Sequence, residues 1–88
     1  MNFGEYCRRE VQKQGKSITW LAQQIGAHPS LIVKWRTRNC DPKTNYFLRV
    51  CVVLADMQNK PLIGIITEAA EIMEIKIKEN NHGDSTRL

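Results

Sequence analysis

The sequence has no long apolar run. Its longest, Val50 to Ala55, is six residues, against the roughly 18 needed to cross a bilayer, so no membrane partner is expected. The amino-terminal residues carry Glu5 and no apolar stretch of the kind a secretion signal needs, which predicts a cytoplasmic protein. Cysteine is sparse and odd in number. Cys7, Cys40 and Cys51 lack C-x-x-C spacing, and with only His28 and His82 to assist them they make neither a disulfide framework nor a metal site. Cys7 and Cys51 fall on apolar helical positions and read as reduced core residues. Length excludes more: 88 residues build one hydrophobic core and leave no room for a large catalytic cleft. No catalytic motif, internal repeat or low-complexity block is present. Glu68, Glu71 and Glu74 follow one helical face as solvated carboxylates rather than an acid–base pair. No enzyme activity, cofactor, metal or small-molecule ligand is expected.

Charge is where the chain is uneven. Residues 1–50 hold nine Lys or Arg against three acids, net +6, and residues 51–88 hold four against six, net −2. A basic half joined to a mildly acidic one points to a polyanion partner for the first.

Strand-like alternation is scarce, and the periodicity predicts an all-α chain of five helices. Phe3, Cys7 and Val11 recur every four residues with Tyr6 beside them, giving a helix over about 3–14 that Gly15 closes. Ser17 offers an N-cap oxygen to a second helix, 18–25, whose Ile18, Leu21, Ala22 and Ile25 share a face before Gly26 ends it. Pro29, with no N–H to leave unsatisfied, sets a third helix starting at His28 or Pro29, in which Ile32 and Trp35 point inward. A loop around Asp41-Pro42 follows, then Thr44 as cap of a fourth helix to about Ala55, with Phe47, Val50, Cys51 and Leu54 as its core stripe. Leu48, Val52 and Val53 add apolar surface on other sides, which a fifth helix is expected to cover. That helix opens at Pro61 and carries Leu62, Ile65, Ile66, Ala69, Ile72, Met73 and Ile77 on one broad face. Ile75 to Lys78 alternates like a strand, so a short terminal strand is the other reading there. From Glu79 the residues are polar, and a disordered tail over 79–88 is expected.

Two helices crossing steeply need a small residue at the contact, a residue tolerant of positive φ in the turn, and an apolar residue closing the contact from the second helix. Ala22, Gly26 and Ile32 supply these in order, with Leu21, Ile25 and Trp35 around them. Over Ser17 to Leu54 the sequence SITWLAQQIGAHPSLIVKWRTRNCDPKTNYFLRVCVVL resembles the lambda-repressor-like, Cro/XRE family of helix-turn-helix proteins. The resemblance implies operator DNA as partner, a homodimer, and the third helix in the major groove. It places base reading on His28, Pro29, Ser30, Leu31 and Lys34. It brings Ser17 and Ile18 to the DNA backbone and lays Thr37, Arg38, Asn39 and Lys43 along phosphates. Where the family often has Gln, Glu and Gly, this chain has Ile18, Arg36 and Arg38. Ile18 lacks the amide for direct readout. Arg36 is left two outlets, Glu10 on helix one or a phosphate.

Residue chemistry points the same way. Lys34 can donate to guanine O6 and N7, Ser30 can donate or accept, Leu31 suits a thymine methyl, and Arg38 and Lys43 suit phosphates. Trp20 faces away from the core stripe, which leaves packing on a neighbouring segment or contact with a subunit or DNA backbone. The expected division is a helix-turn-helix core over 1–57 and a dimerisation helix over 58–78, its interface formed by Leu62, Ile65, Ile66, Ala69, Ile72, Met73 and Ile77. The function expected is a sequence-specific repressor of phage or mobile-element type, bound as a homodimer to a palindromic operator. The alternative is a protein-interaction module or antitoxin that kept the fold.

Overall fold

Helix boundaries follow local chemistry closely in the first half of the chain. In a computed structural model, which describes the backbone of residues 1–81 and the side chains of residues 1–73, the elements are α1 (Phe3–Lys13), α2 (Ile18–Ile25), α3 (Pro29–Thr37), α4 (Thr44–Gln58) and α5 (Leu62–Asn81). The protein is all-helical over the described residues. Asn2 caps α1, its Oδ1 accepting from Glu5 N–H at 2.9 Å, and Ser17 Oγ caps α2 by accepting from Trp20 N–H at 3.1 Å. His28 caps α3 with Pro29 at the first helical position. Helices α1, α2 and α4 end alike, in a left-handed residue (Gly15, Gly26 and Asn59) followed by an amide that bonds back to a carbonyl five residues earlier. These returns, Lys16 to Val11, Ala27 to Ala22 and Lys60 to Ala55, are each 2.9 Å and satisfy carbonyls that the helix end would orphan.

Three expectations are corrected here. Thr44 does not cap α4: it is the first helical residue, the cap position is Lys43, and no side chain bonds there. The strand-like Ile75 to Lys78 segment has helical backbone inside α5, because no neighbouring strand offers it a ladder among the described residues. The same helix carries Glu79 to Asn81, the start of the expected disordered tail; residues 82–88 lie outside the described residues, as do the side chains of Glu74 and Ile77.

One core unites all five helices. Phe3, Cys7 and Val11 from α1 meet Leu21, Ala22 and Ile25 from α2, Ile32 and Trp35 from α3, Val50, Cys51 and Leu54 from α4, and Ile65 and Ala69 from α5. Phe3 sits at the centre of an aromatic cluster, its ring centroid 5.4 Å from Phe47 and 5.6 Å from Trp35. Trp35 in turn lies 6.5 Å from Tyr46. Helix α5 packs on α4 and α1, and Tyr6 Oη donates to Glu68 Oε1 at 2.9 Å to tie it to α1. It does not cover the outer side of α4, where Leu48 is 46% and Val52 53% exposed. Val50, Cys51, Leu54 and Ala55 are the α4 residues buried, so α5 follows the face already turned to the core.

Candidate nucleic-acid interface

Helix α3 is held from behind by its inward residues and from its end by α1. An ideal Cβ added to Gly4 would lie 2.3 Å from Arg36 N and 2.6 Å from Arg36 Cα, so only glycine lets the α1 backbone lie on the last turn of α3. Asn2 Nδ2 donates to Arg36 O at 2.8 Å, so the residue that caps α1 also satisfies a carbonyl at the end of α3. From the other side Arg49 of α4 donates to Ile25 O at 3.1 Å and lies over the Tyr46 ring at 5.7 Å, fixing the end of α2 just before the turn. Neither Asn2 nor Gly4 carries a local sequence signal for this role, because the close approach joins residues far apart in the chain.

With Ile32 and Trp35 buried, the outward residues of α3 are Ser30, Val33, Lys34 and Thr37, led by His28 at the cap. His28 Nδ1 accepts from Ser30 N–H at 3.1 Å and lies 2.9 Å from Ser30 Oγ. In the neutral ring this puts the remaining proton on Nε2. Leu31 and Pro29 are half-buried, and Leu31 packs against the core. The exposed apolar residue of this face is Val33, at 38%. Helical phase would have found it, since positions 30, 33, 34 and 37 lie opposite 32 and 35.

Arg36, Thr37, Arg38, Asn39 and Lys43 are all exposed. Asn39 takes the left-handed conformation, φ 54°, that turns the chain out of α3. Thr37 Oγ1 donates to Val33 O at 2.9 Å, which occupies its proton within the helix. Arg36 does not pair with Glu10, because Lys13 Nζ at 2.8 Å and Gln58 Nε2 at 2.9 Å already hold that buried carboxylate. Its charge acts on Glu5 instead: Arg8 hydrogen-bonds the Glu5 carboxyl, and Arg8, Arg36 and Arg9 together hold it below its ordinary range. Ser17 is exposed, and Ile18 is half-buried against the core. The capping bond to Trp20 leaves the Ile18 and Thr19 amides without intrahelical acceptors, as at any helix start. Between Glu10 and Asp41 the chain has no acidic residue at all, while it holds Lys13, Lys16, Lys34, Arg36 and Arg38.

The residues expected to form a dimer interface on α5 are largely consumed inside the subunit. Ile65 and Ala69 are fully buried against their own core, and Ile66, Ile72 and Met73 pack beside it half-buried. Leu62 is 40% exposed, and the Ile77 side chain lies outside the described residues. The wide stripe faces inward because α1 as well as α4 lies beneath it. Trp20 is half-buried, with Lys16 Nζ 5.3 Å above its ring, and it lines a depression with Val52, Val53 and Met57.

Among the described residues no helix is long and apolar enough to cross a membrane, and no group of three His, Cys, Asp or Glu residues could hold a metal ion. No family model matches this chain, and no curated protein or solved structure matches it either.

Proposed function

We propose that the chain is a sequence-specific double-stranded DNA-binding regulator of the lambda-repressor-like, Cro/XRE helix-turn-helix type, a repressor that pairs on a palindromic operator. The observation that carries the reading is the outward face of α3. A short helix locked by Ile32 and Trp35 behind it presents a ring N–H, a hydroxyl, an apolar side chain and an ammonium in succession, from His28, Ser30, Val33 and Lys34. Those are the groups base edges in the major groove recognise: Lys34 suits guanine O6 and N7, Ser30 suits either a donor or an acceptor, and Val33 takes over from Leu31 the contact with a thymine methyl. Arg36, Arg38, Asn39 and Lys43 flank that face with charge and donors suited to phosphates, and the free amides at the start of α2 offer two more. Repression would act by occupancy, a bound dimer excluding polymerase from the promoter.

Selection of bound duplexes from a random pool tests this directly. An enriched palindrome is the expected result, and no enrichment would instead favour a protein-interaction module or an antitoxin. If four to six phosphates are neutralised per protomer, the logarithm of affinity should fall with the logarithm of salt at a slope of roughly −4 to −5. A flat salt response would remove the phosphate contacts from the proposal.

A further inference from the structure

The outer side of α4 is an apolar surface that the other described helices leave uncovered, and its pattern is specific. Leu48, Arg49, Val52 and Asp56 form one exposed stripe at helical spacing, with Leu48 46% and Val52 53% exposed. Beside this ridge, between α4 and α2, runs a groove of about 410 Å³ lined by Trp20, Val53, Asp56 and Met57. It continues past Gln24 into a depression of about 290 Å³ beside Leu48 and Arg49. Ridge and groove therefore lie side by side on one face.

We propose that this face pairs with a second copy of the chain, the two α4 helices antiparallel about a two-fold axis at Val52. Leu48 precedes Val52 by four residues and Asp56 follows it by four, so a two-fold there brings Leu48 of one protomer level with the partner's Asp56. Arg49, one residue further along, then faces the partner's Asp56, and the contact occurs twice. An isologous interface needs this kind of self-complementarity, in which residue i meets j and j meets i. The charges meet it: Arg49 and Asp56 are of opposite sign and lie seven residues apart on one stripe, about 10.5 Å along the axis, with the apolar Val52 between them. Arg49 gives one N–H to Ile25 O and keeps its other donors. Like charges at these two positions would instead have repelled a second copy. This stripe and its groove offer fewer residues than the roughly 20–30 a side of a standard interface, so the dimer is reversible and concentration-dependent.

The inference assigns the pairing face of the regulator proposed above, yet its chemistry does not depend on DNA and its test contains none. Sedimentation equilibrium of the full chain should show monomer passing to dimer across the micromolar range. Val52→Glu, at a position 53% exposed and outside the core, should weaken association at least tenfold while leaving the helical circular dichroism unchanged. Arg49→Asp and Asp56→Arg should each be monomeric alone, and an equimolar mixture should dimerise, because both cross-pairs are attractive only in the heterodimer. A wild-type chain that stays monomeric at every concentration overturns the proposal. So does a Val52→Glu chain that dimerises like wild type, or a mixture of two folded charge-reversed chains that does not associate. Should loss of the Ile25 contact unfold Arg49→Asp, Val52→Glu and Asp56→Arg decide the matter by themselves. A dimer without DNA affinity would leave this pairing intact and remove the operator reading; DNA binding by a monomer would do the reverse.

Discussion

Gly4→Ala tests whether α1 positions α3, the helix proposed to read bases. The added Cβ would sit 2.3 Å from Arg36 N, 2.6 Å from Arg36 Cα and 2.7 Å from Trp35 C, whereas carbon atoms in contact prefer about 3.5–4.0 Å. All three obstacles are backbone, so no rotamer change relieves them, and α1 and α3 must part by about 1 Å or more. Overpacking of this kind costs about 1–3 kcal/mol, and a backbone obstacle belongs at the upper end. Alanine's helix preference over glycine returns up to about 1 kcal/mol, less in the first turn where Gly4 lies. The net loss is about 2 kcal/mol, which in a domain of this size lowers Tm by roughly 8–16 °C at the 4–8 °C per kcal/mol typical of small domains. Separation also opens the Phe3–Trp35 ring contact of 5.6 Å and the Asn2–Arg36 bond of 2.8 Å, so tryptophan fluorescence should change in the folded state and operator affinity should fall with it. Thermal melts followed by circular dichroism, alongside fluorescence, give both readouts. A Gly4→Ala chain as stable as wild type would mean that the two helices do not approach this closely.

Lys34→Ala and Ser30→Ala should each relax base preference by about 1–3 kcal/mol, while Arg38→Ala weakens binding to all duplexes alike. Equal losses on specific and scrambled duplexes for all three variants would contradict that division of labour. Ser17→Ala removes the oxygen that accepts from Trp20 N–H and should cost about 1 kcal/mol, seen as a lower urea midpoint at unchanged slope. Burial raises the Cys7 thiol and pushes the Cys51 thiol up to about 11, and burial with the Glu68 hydrogen bond raises the Tyr6 phenol. Groups raised in the folded state stabilise it fully below their unfolded values, so stability should hold to about pH 8 and decline above about pH 9. A denaturant midpoint unchanged between about pH 8 and pH 10.5 would rule this linkage out.

What the sequence discloses about this fold depends on how far apart the cooperating residues lie. Ser17, Gly15, Gly26 and Pro29 act on backbone within a few positions of themselves, and each marks a helix boundary that the structure has. Ala22, Gly26 and Ile32 act across one turn: Gly26 takes the positive φ that ends α2, and Ala22 and Ile32 share one core. Local signals fail where a neighbour from elsewhere decides. The residues 75–78 alternate as a strand would, but with no partner strand the backbone continues the helix that Leu62 to Met73 had begun. Apolar residues around most of α4 showed that it needed more than one neighbour without showing which side α5 would take, and α5 takes the side of Leu54, leaving Leu48 and Val52 outside.

The candidate site divides along the same line. Its chemistry is local: a cap, a hydroxyl, a lysine and a basic loop can be read in order from His28 to Lys43. The resemblance put Leu31 on the candidate face, whereas helical phase puts Val33 there, since one residue turns a helix by about 100° and Ile32 with Trp35 fix the inward direction. The placement of that chemistry is not local. Asn2 and Gly4, more than thirty positions away, set where the last turn of α3 lies, and an asparagine or a glycine near a chain start looks the same whether or not another helix rests on it. Residues that read bases must be found by their own character, and residues that aim them by what packs behind, so the aiming residues of a small all-helical protein emerge only with its tertiary contacts.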